Sequence, residues 1–415
     1  MRVMLGVSDW PGHWFAMVPL GWALQSAGHE VRVVCAPSQS EPVARAGLTP
    51  VPVLDGWEMT FQARIGNYLN WKEGRWPFTA APPHPLTGVP LTSIEEFDLR
   101  NWIVENNDRL QGMARRSTDA AVAFGRDWRP DLILHDLLSL EGLLTARVLG
   151  TASALHLWGP AGTDEQEPGL KLLPLDMSQA FQRHGVGEVS FDHVSHVIDP
   201  CPADLAPRLL PAERLPVRFV PYNGPGGLPG TPEEQAGALA PTSGRPRVCV
   251  VWGTSVTSMF GDASFAVPKI VEALAGLDVE VTLAVTGADR QRIGELPPGV
   301  RLLEQAPLHL LLPGCDLVVH HGGAGCVMTS LAAGVPQLAL PNGVDQPMNA
   351  RRLAAAGVGR ALPNPTADAA SIRAEVAGML ADPSYAAAAA RVRAGMTALP
   401  TPADLVPRLE KLASQ

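Results

Sequence analysis

Residues 317–341 read LVVHHGGAGCVMTSLAAGVPQLALP: an apolar run, then His321, Gly322, Gly323, Gly325 and Cys326, then residues that favour a helix. A strand that breaks through glycines into a helix leaves backbone N–H groups unpaired at the helix start, where the dipole adds partial positive charge. Because glycines let an anion approach the main chain, the turn predicts a seat for a diphosphate. A plain strand-to-helix turn is the competing reading, but it requires neither adjacent histidines nor three glycines. The spacing fits neither a P-loop nor GxGxxG, which argues against an NTPase and against a dehydrogenase. Beyond the next apolar run, Asp345 and Gln346 open a second helix-like stretch. There a carboxylate and an amide can accept from and donate to vicinal sugar hydroxyls, or Asp345 can simply cap the helix.

Loops of this kind need strands to hold them. Residues 2–8, 15–27 and 31–36 alternate strand, helix and strand, and VRVVCA is apolar throughout, as a strand covered on both faces should be. Segments 131–135, 141–149 and 152–158 repeat the theme. A second series runs through strands 247–252, 279–285, 300–303, 317–320 and 337–340, with helices near 265–274 and 325–333. The fold class is α/β, as two facing Rossmann-like domains. Residues 1–225 form the first, 226–245 a Pro/Gly-rich linker, 246–400 the second, and 401–415 a C-terminal helix that packs back on the first. Ligands of open α/β sheets bind beyond the strands' carboxyl ends, so the loops after Ser8, Asp136, Trp252, His320 and Leu340 should line a cleft. Residues 57–90 show no clean period and read as loops and short helices.

The chain has 415 residues, enough for two domains, and 46% of them are hydrophobic, as in a folded soluble protein. A net charge of -9 without a Lys/Arg block argues against nucleic acid as a partner. No apolar run reaches membrane-spanning length, and Pro11 and Gly12 interrupt the N-terminus before a signal-peptide core could form, so a cytoplasmic location is expected. Cys35, Cys201, Cys249, Cys315 and Cys326 stand singly, which suggests reduced thiols and no zinc knuckle. His184, His193 and His196 lack the cysteine or acidic neighbours of a metal site. His29 and His309 read as structural.

HHGGAGC at 320–326 with GVPQLALPNGVDQPMNA at 334–350 resembles the donor motif of nucleotide-sugar glycosyltransferases of the GT-B type, the antibiotic glycosyltransferases most closely. The likeness extends to GHWFAMVPLGWALQSAGHEV at 12–31, WGP at 158–160, IDPCP at 198–202 and PYNGP at 221–225, and so covers most of the chain. These segments look like enzymes that attach deoxysugars from TDP donors to macrolides and other polyketides.

The resemblance implies that His13 is the base that activates the acceptor and that Asp136 is hydrogen-bonded to it. Imidazole titrates near neutral pH, as proton removal from an attacking hydroxyl requires. It further implies a phosphate contact from the hydroxyl of Thr254 or Ser255. His321, Gly322, Gly323, Gly325, Cys326, Asp345 and Gln346 complete the donor site, and the nucleobase lies near Ala306 and Leu308. Cys326 stands where many relatives carry Thr or Ser, and Gln305 where many carry Trp. Asp9, Trp10, Trp57, Trp71, Trp76 and Phe78 are the candidates for holding a hydrophobic acceptor. The implied reaction is inverting transfer from a TDP- or UDP-sugar, without cofactor or metal. An epimerase or hydrolase on the same scaffold, or a non-catalytic auxiliary protein, are the alternatives; a P450-like helper protein and a homodimer are further partners that the resemblance raises.

Overall fold

A computed structural model describes residues 1–56, 58–167, 170–228 and 244–415, apart from the side chains of Thr254 and Ala288; Trp57 and most of the expected linker fall outside it. In the first domain the strands are β1 (Arg2–Gly6), β2 (Glu30–Val34), β3 (Thr49–Val51), β4 (Leu132–Asp136), β5 (Ala152–His156), β6 (His196–Asp199) and β7 (Glu213–Pro216). The second domain holds β8 (Arg247–Val251), β9 (Glu280–Val285), β10 (Val300–Glu304), β11 (Leu317–His320), β12 (Gln337–Ala339) and β13 (Gly359–Ala361). They build a seven-stranded sheet, β3-β2-β1-β4-β5-β6-β7, and a six-stranded sheet, β10-β9-β8-β11-β12-β13. Every strand pairing in both sheets is parallel.

Side-chain alternation explains how helices cover both faces. Val3, Leu5, Leu132 and Leu134 point to one face, where they pack with Leu20 and Leu24 of the helix Val18–Ser26. Met4 and Ile133 point to the other, against Ala121 and Trp128 of a 30-residue helix, Leu99–Trp128. In the second sheet Val248 and Val250 face one cluster while Cys249 faces another.

One helix departs from the sequence reading, and a second falls where that reading named no element. Of residues 57–90, expected as loops and short helices, Met59–Lys72 forms one 14-residue helix. Helix Leu99–Trp128 has mostly polar exposed positions and buries Leu110, Ala121, Val122 and Trp128 among others on its inner side. Among the described residues no helix is long and apolar enough to cross a membrane.

The last helix, Pro402–Ala413, starts from a capping box of Thr401 and Asp404. Its Leu405, Val406, Leu409 and Leu412 share one face, as helical spacing dictates, and join the core of the first domain beside Val18 and Leu20. Leu409 is fully buried there. Leu409→Ala should therefore destabilise the first domain by about 2–5 kcal/mol, the usual cost of such a truncation, seen as a lower urea midpoint for that domain's unfolding.

Candidate active site

Strands β1 and β4 are neighbours, with Gly6 paired to His135. That register sets the residues just past each strand end side by side, and a hydrogen-bonded chain forms between them. The backbone N–H and hydroxyl of Ser8 both donate to Asp136 Oδ2, at 2.6 and 2.9 Å, while Leu138 N–H donates to Oδ1 at 2.8 Å. Ser8 Oγ lies 2.9 Å from His13 Nδ1. A serine hydroxyl has one proton, and a carboxylate is the better acceptor, so Nδ1 of His13 must be the donor to Ser8. The ring is then the Nδ1–H tautomer, with Nε2 left as its lone-pair atom.

Asp136 was expected to bond His13 directly; Ser8 stands between them instead, because the carboxylate is already drawn down to the Ser8 and Leu138 backbone. Nor does Asp136 cap the following helix, Leu140–Leu149, whose N-cap is Ser139. Burial raises Asp136 to about 6, against the lowering effect of those hydrogen bonds. His13 is half-exposed at its cavity edge but enclosed by protein elsewhere, and this enclosure pushes its imidazole down to about 3. Its ring stacks on Trp158, with centroids 4.0 Å apart and planes 18° from parallel.

Across the cleft, β11 ends at His320, which is structural. Gly322 N–H donates to its Nδ1 at 2.8 Å, so its Nε2 carries the proton given to Gln337 Oε1 at 2.8 Å. Gly322 has φ +87° and packs against Gln346, a conformation that suits glycine. A Cβ at Gly323 would lie 2.5 Å from His321 Nε2, so the close approach of that ring also selects glycine. Helix Ala324–Ala333 follows, with Gly323 as N-cap and no side-chain cap. Its first N–H groups are thus left to other partners. His321, held neutral by burial with a pKa lowered to about 3, keeps a buried Nδ1 without a partner, and so does Trp252 Nε1, whose ring meets it edge-on at 5.8 Å. Buried polar nitrogens without a partner beside a glycine turn point to a ligand.

Asp345 occupies the N-cap position of helix Gln346–Ala355, yet its side chain makes no capping bond. It accepts instead from Asn349 Nδ2 at 3.2 Å, and the same amide nitrogen holds Gly322 O at 3.1 Å. Burial raises the Asp345 carboxyl, opposed by Asn349 and by the Trp158 indole N–H that lies against it. Gln346 Oε1 accepts from Asn342 N–H at 2.9 Å, which leaves its amide N–H groups as donors.

Between the domains lies a cavity of ≈ 800 Å³. Trp10, His13, Leu138 and Trp158 line it from one side, and Val344 and Asp345 from the other. Helix Met59–Lys72 contributes Gln62 and Asn67 to the wall. Trp76 also lines it, stacks on Phe260 and is buried in the second domain's core cluster, against which Trp71 and Phe78 pack without lining the cavity. Asp9 is tied to Ser38 and Gln39 and does not line the cavity. The turn 321–326 sits behind the Val344–Asp345 wall, linked to it by Asn349. Ser255 lies in helix Thr254–Phe260 beside Gly253, near the His321 ring. Ala306, Leu308 and Cys326 share one apolar cluster, where burial lifts the Cys326 thiol to about 12. His184, His193 and His196 go to separate partners, Asp119, the Glu188 carbonyl and Glu213.

Residues missed by sequence reasoning are Ser8, Asn349 and the Met59–Lys72 helix. Asn349 had a signal, since it lies one helical turn after Asp345 on the same face. Ser8 had none beyond its place at the end of a strand.

Residues 22–73 and 88–253 match the family described as Erythromycin biosynthesis protein CIII-like, N-terminal domain, and residues 268–412 match its C-terminal counterpart. The chain is 34% identical to 10-deoxymethynolide desosaminyltransferase of Streptomyces venezuelae, over 100% of this chain and 98% of that protein. It is also 34% identical to aklavinone 7-beta-L-rhodosaminyltransferase of Streptomyces galilaeus, over 100% and 96%. Among solved structures, spinosyn rhamnosyltransferase SpnG complexed with thymidine diphosphate superposes with a TM-score of 0.74 at 30% identity, covering 99% of this chain and 100% of that one. The same enzyme complexed with spinosyn aglycone gives 0.75.

The hydrogen-bond inventory at His13 is open to a direct check. Nitrogen-15 shifts of the imidazole should report a neutral Nδ1–H ring at every pH above about 5. Titration near the ordinary histidine value would contradict the enclosed, stacked environment.

Proposed function

The chain belongs to the EryCIII-like family of antibiotic glycosyltransferases, and from that premise we propose that it moves a deoxysugar from a TDP- or UDP-sugar to a hydrophobic, polyketide-like acceptor with inversion at the anomeric carbon. The observation that carries this reading is the Asp136–Ser8–His13 chain, which ends at a cavity whose opposite wall presents Asp345. The acceptor lies in the ≈ 800 Å³ space, large enough for a polycyclic or macrocyclic molecule. Trp10 and Trp76 supply apolar surface; Gln62 supplies hydrogen bonds, while Asn67 Nδ2 is held by the Met259 carbonyl at 2.8 Å. Asp345 and the free amide of Gln346 hold hydroxyls of the donor sugar.

In the reaction, His13 Nε2 takes the acceptor's proton as its oxygen attacks the anomeric carbon. The bond from that carbon to the diphosphate oxygen breaks, and the electron pair leaves with the diphosphate. Unpaired N–H groups at the start of helix Ala324–Ala333 stabilise that departing charge, aided by the helix dipole. The imidazolium formed on His13 is stabilised through Ser8 by ionised Asp136. A ring with so low a resting pKa is a weak base in the free protein; the negative diphosphate arriving with the donor shifts it toward accepting a proton.

His13→Ala should lower kcat by about 10²–10⁴ while TDP affinity, read by calorimetry, changes little. Turnover at the wild-type level would remove His13 from this role.

The pH profile follows from the signs of the two shifts. His13 is already neutral well above its value of about 3, so it sets no limb near neutrality. Asp136, raised to about 6, is ionised above that pH and protonated below it. Protonation removes the charge that stabilises the imidazolium. Thus kcat/KM should fall as pH drops through about 6, and Asp136→Asn should show a low, flat rate over the same range.

A further inference from the structure

The segment that follows β5 touches the second domain at successive residues. Trp158 stacks on His13 and sets its indole N–H against Asp345. Gly159 packs on Ala324, the first residue of the helix after the glycine turn; a Cβ there would lie 2.7 Å from Ala324 Cβ. The Pro160 carbonyl accepts from Arg352 Nη1, and Arg352 Nη2 donates to both oxygens of Glu165, at 2.9 and 2.8 Å. Glu165 Oε1 also accepts the backbone N–H groups of Gly162 and Arg208, each at 3.0 Å. Arg351 and Glu167 form a second pair alongside.

The Glu165 and Arg352 side chains are only 4% and 17% exposed. A pair so enclosed contributes little net stability over an apolar contact, but it fixes orientation, and loss of one partner strands a buried charge. Its placement is informative. Arg352 stands on helix Gln346–Ala355, whose N-cap is Asp345, so one rigid element carries both the carboxylate facing the cavity and the arginine that grips the loop. The grip falls two residues beyond Trp158, whose ring forms the wall against which His13 rests.

We propose that Trp158 is a positioning residue for His13, and that the Arg352–Glu165 pair latches the loop after β5 to the sugar-facing helix, so that the base is seated only when the donor domain is closed on it. This rests on the reading of His13 as the base. With the latch broken, the donor turn and its helix remain intact, so nucleotide binding persists. The base, however, loses its register with the anomeric carbon, and the unsealed cleft admits water as a competing nucleophile.

The test uses the full-length protein with a TDP-sugar and polyketide acceptor pair that gives turnover, comparing Arg352→Ala, Arg352→Lys, Trp158→Leu, Trp158→Phe and His13→Ala. Transfer, hydrolysis of the donor without transfer, TDP affinity and thermal midpoint are measured for each. Arg352→Ala and Trp158→Leu should lose about tenfold or more in kcat for transfer, with hydrolysis per transfer rising about fivefold and TDP affinity held within about threefold. Trp158→Phe, which keeps an aromatic face, and Arg352→Lys, which keeps the charge, should each recover much of the loss. A parallel fall of transfer, hydrolysis and TDP binding with the folded fraction would reduce the latch to a structural contact. Trp158→Phe as impaired as Trp158→Leu would overturn the stacking role. If His13→Ala is inactive while Arg352→Ala and Trp158→Leu behave as wild type, the latch alone fails; if His13→Ala retains turnover, the base reading fails and the latch with it.

Discussion

Both sheets are parallel throughout, and this constraint governs the placement of everything else. A parallel strand delivers its carboxyl end to the same edge as its neighbours, so each sheet gathers its loops along one rim. In the first domain the central strands β1, β4 and β5 bring Ser8 and His13, Asp136, and Trp158 to that rim. In the second, β8, β11 and β12 bring Ser255, the glycine turn and the Asp345 loop. With the rims opposed, residues far apart in sequence meet without any strand having to bend, and the apolar strands carry the folding energy while the loops remain free to hold polar groups.

The electrostatics of the site follow from its enclosure. Burial moves His13 down to about 3 and Asp136 up to about 6, which reverses the ordinary order of an imidazole and a carboxyl yet still leaves the ring neutral and the carboxylate ionised at neutral pH. The result is a neutral imidazole in series with a carboxylate, joined by one hydroxyl. Asp345 is likewise buried and raised, and no cation faces it among its named partners; Asn349, the indole of Trp158 and the start of helix Gln346–Ala355 supply the compensating dipoles. A cation in that position would bind the carboxylate permanently. Neutral donors leave it able to accept a further hydroxyl.

The parts of this architecture legible in the sequence are those with local physical signatures. Strands buried on both faces are continuous apolar runs, so LVVH and VRVV declared themselves, and the glycine turn was visible because its chemistry is written in adjacent residues. Helix Met59–Lys72 was hidden because it buries a polar Asn67 beside Tyr68 and meets the second domain through Arg64 and Asn67, which donate to the Ser258 and Met259 carbonyls, so its inward face carries no clean apolar 3.6 period. Ser8 was invisible for a different reason: a serine after a strand is common, and only the register of β1 with β4 puts its hydroxyl between Asp136 and His13. The pairing of Glu165 with Arg352 spans 187 positions and joins two domains, so no local pattern can encode it.

Cys326 shows how a departure from a family pattern can be read through packing. A hydroxyl at the start of a helix would offer a strong donor to an anion, and a thiol offers a weak one. Here, however, the Cys326 side chain belongs to the apolar cluster of Leu308, Leu312 and Val335, and its thiol is kept protonated by burial, with a value of about 12. The sulfur therefore serves the core, and burial keeps it uncharged at the start of helix Ala324–Ala333. Gly322 and Gly323 are held by geometry, the first by its positive φ and the second by the close approach of the His321 ring.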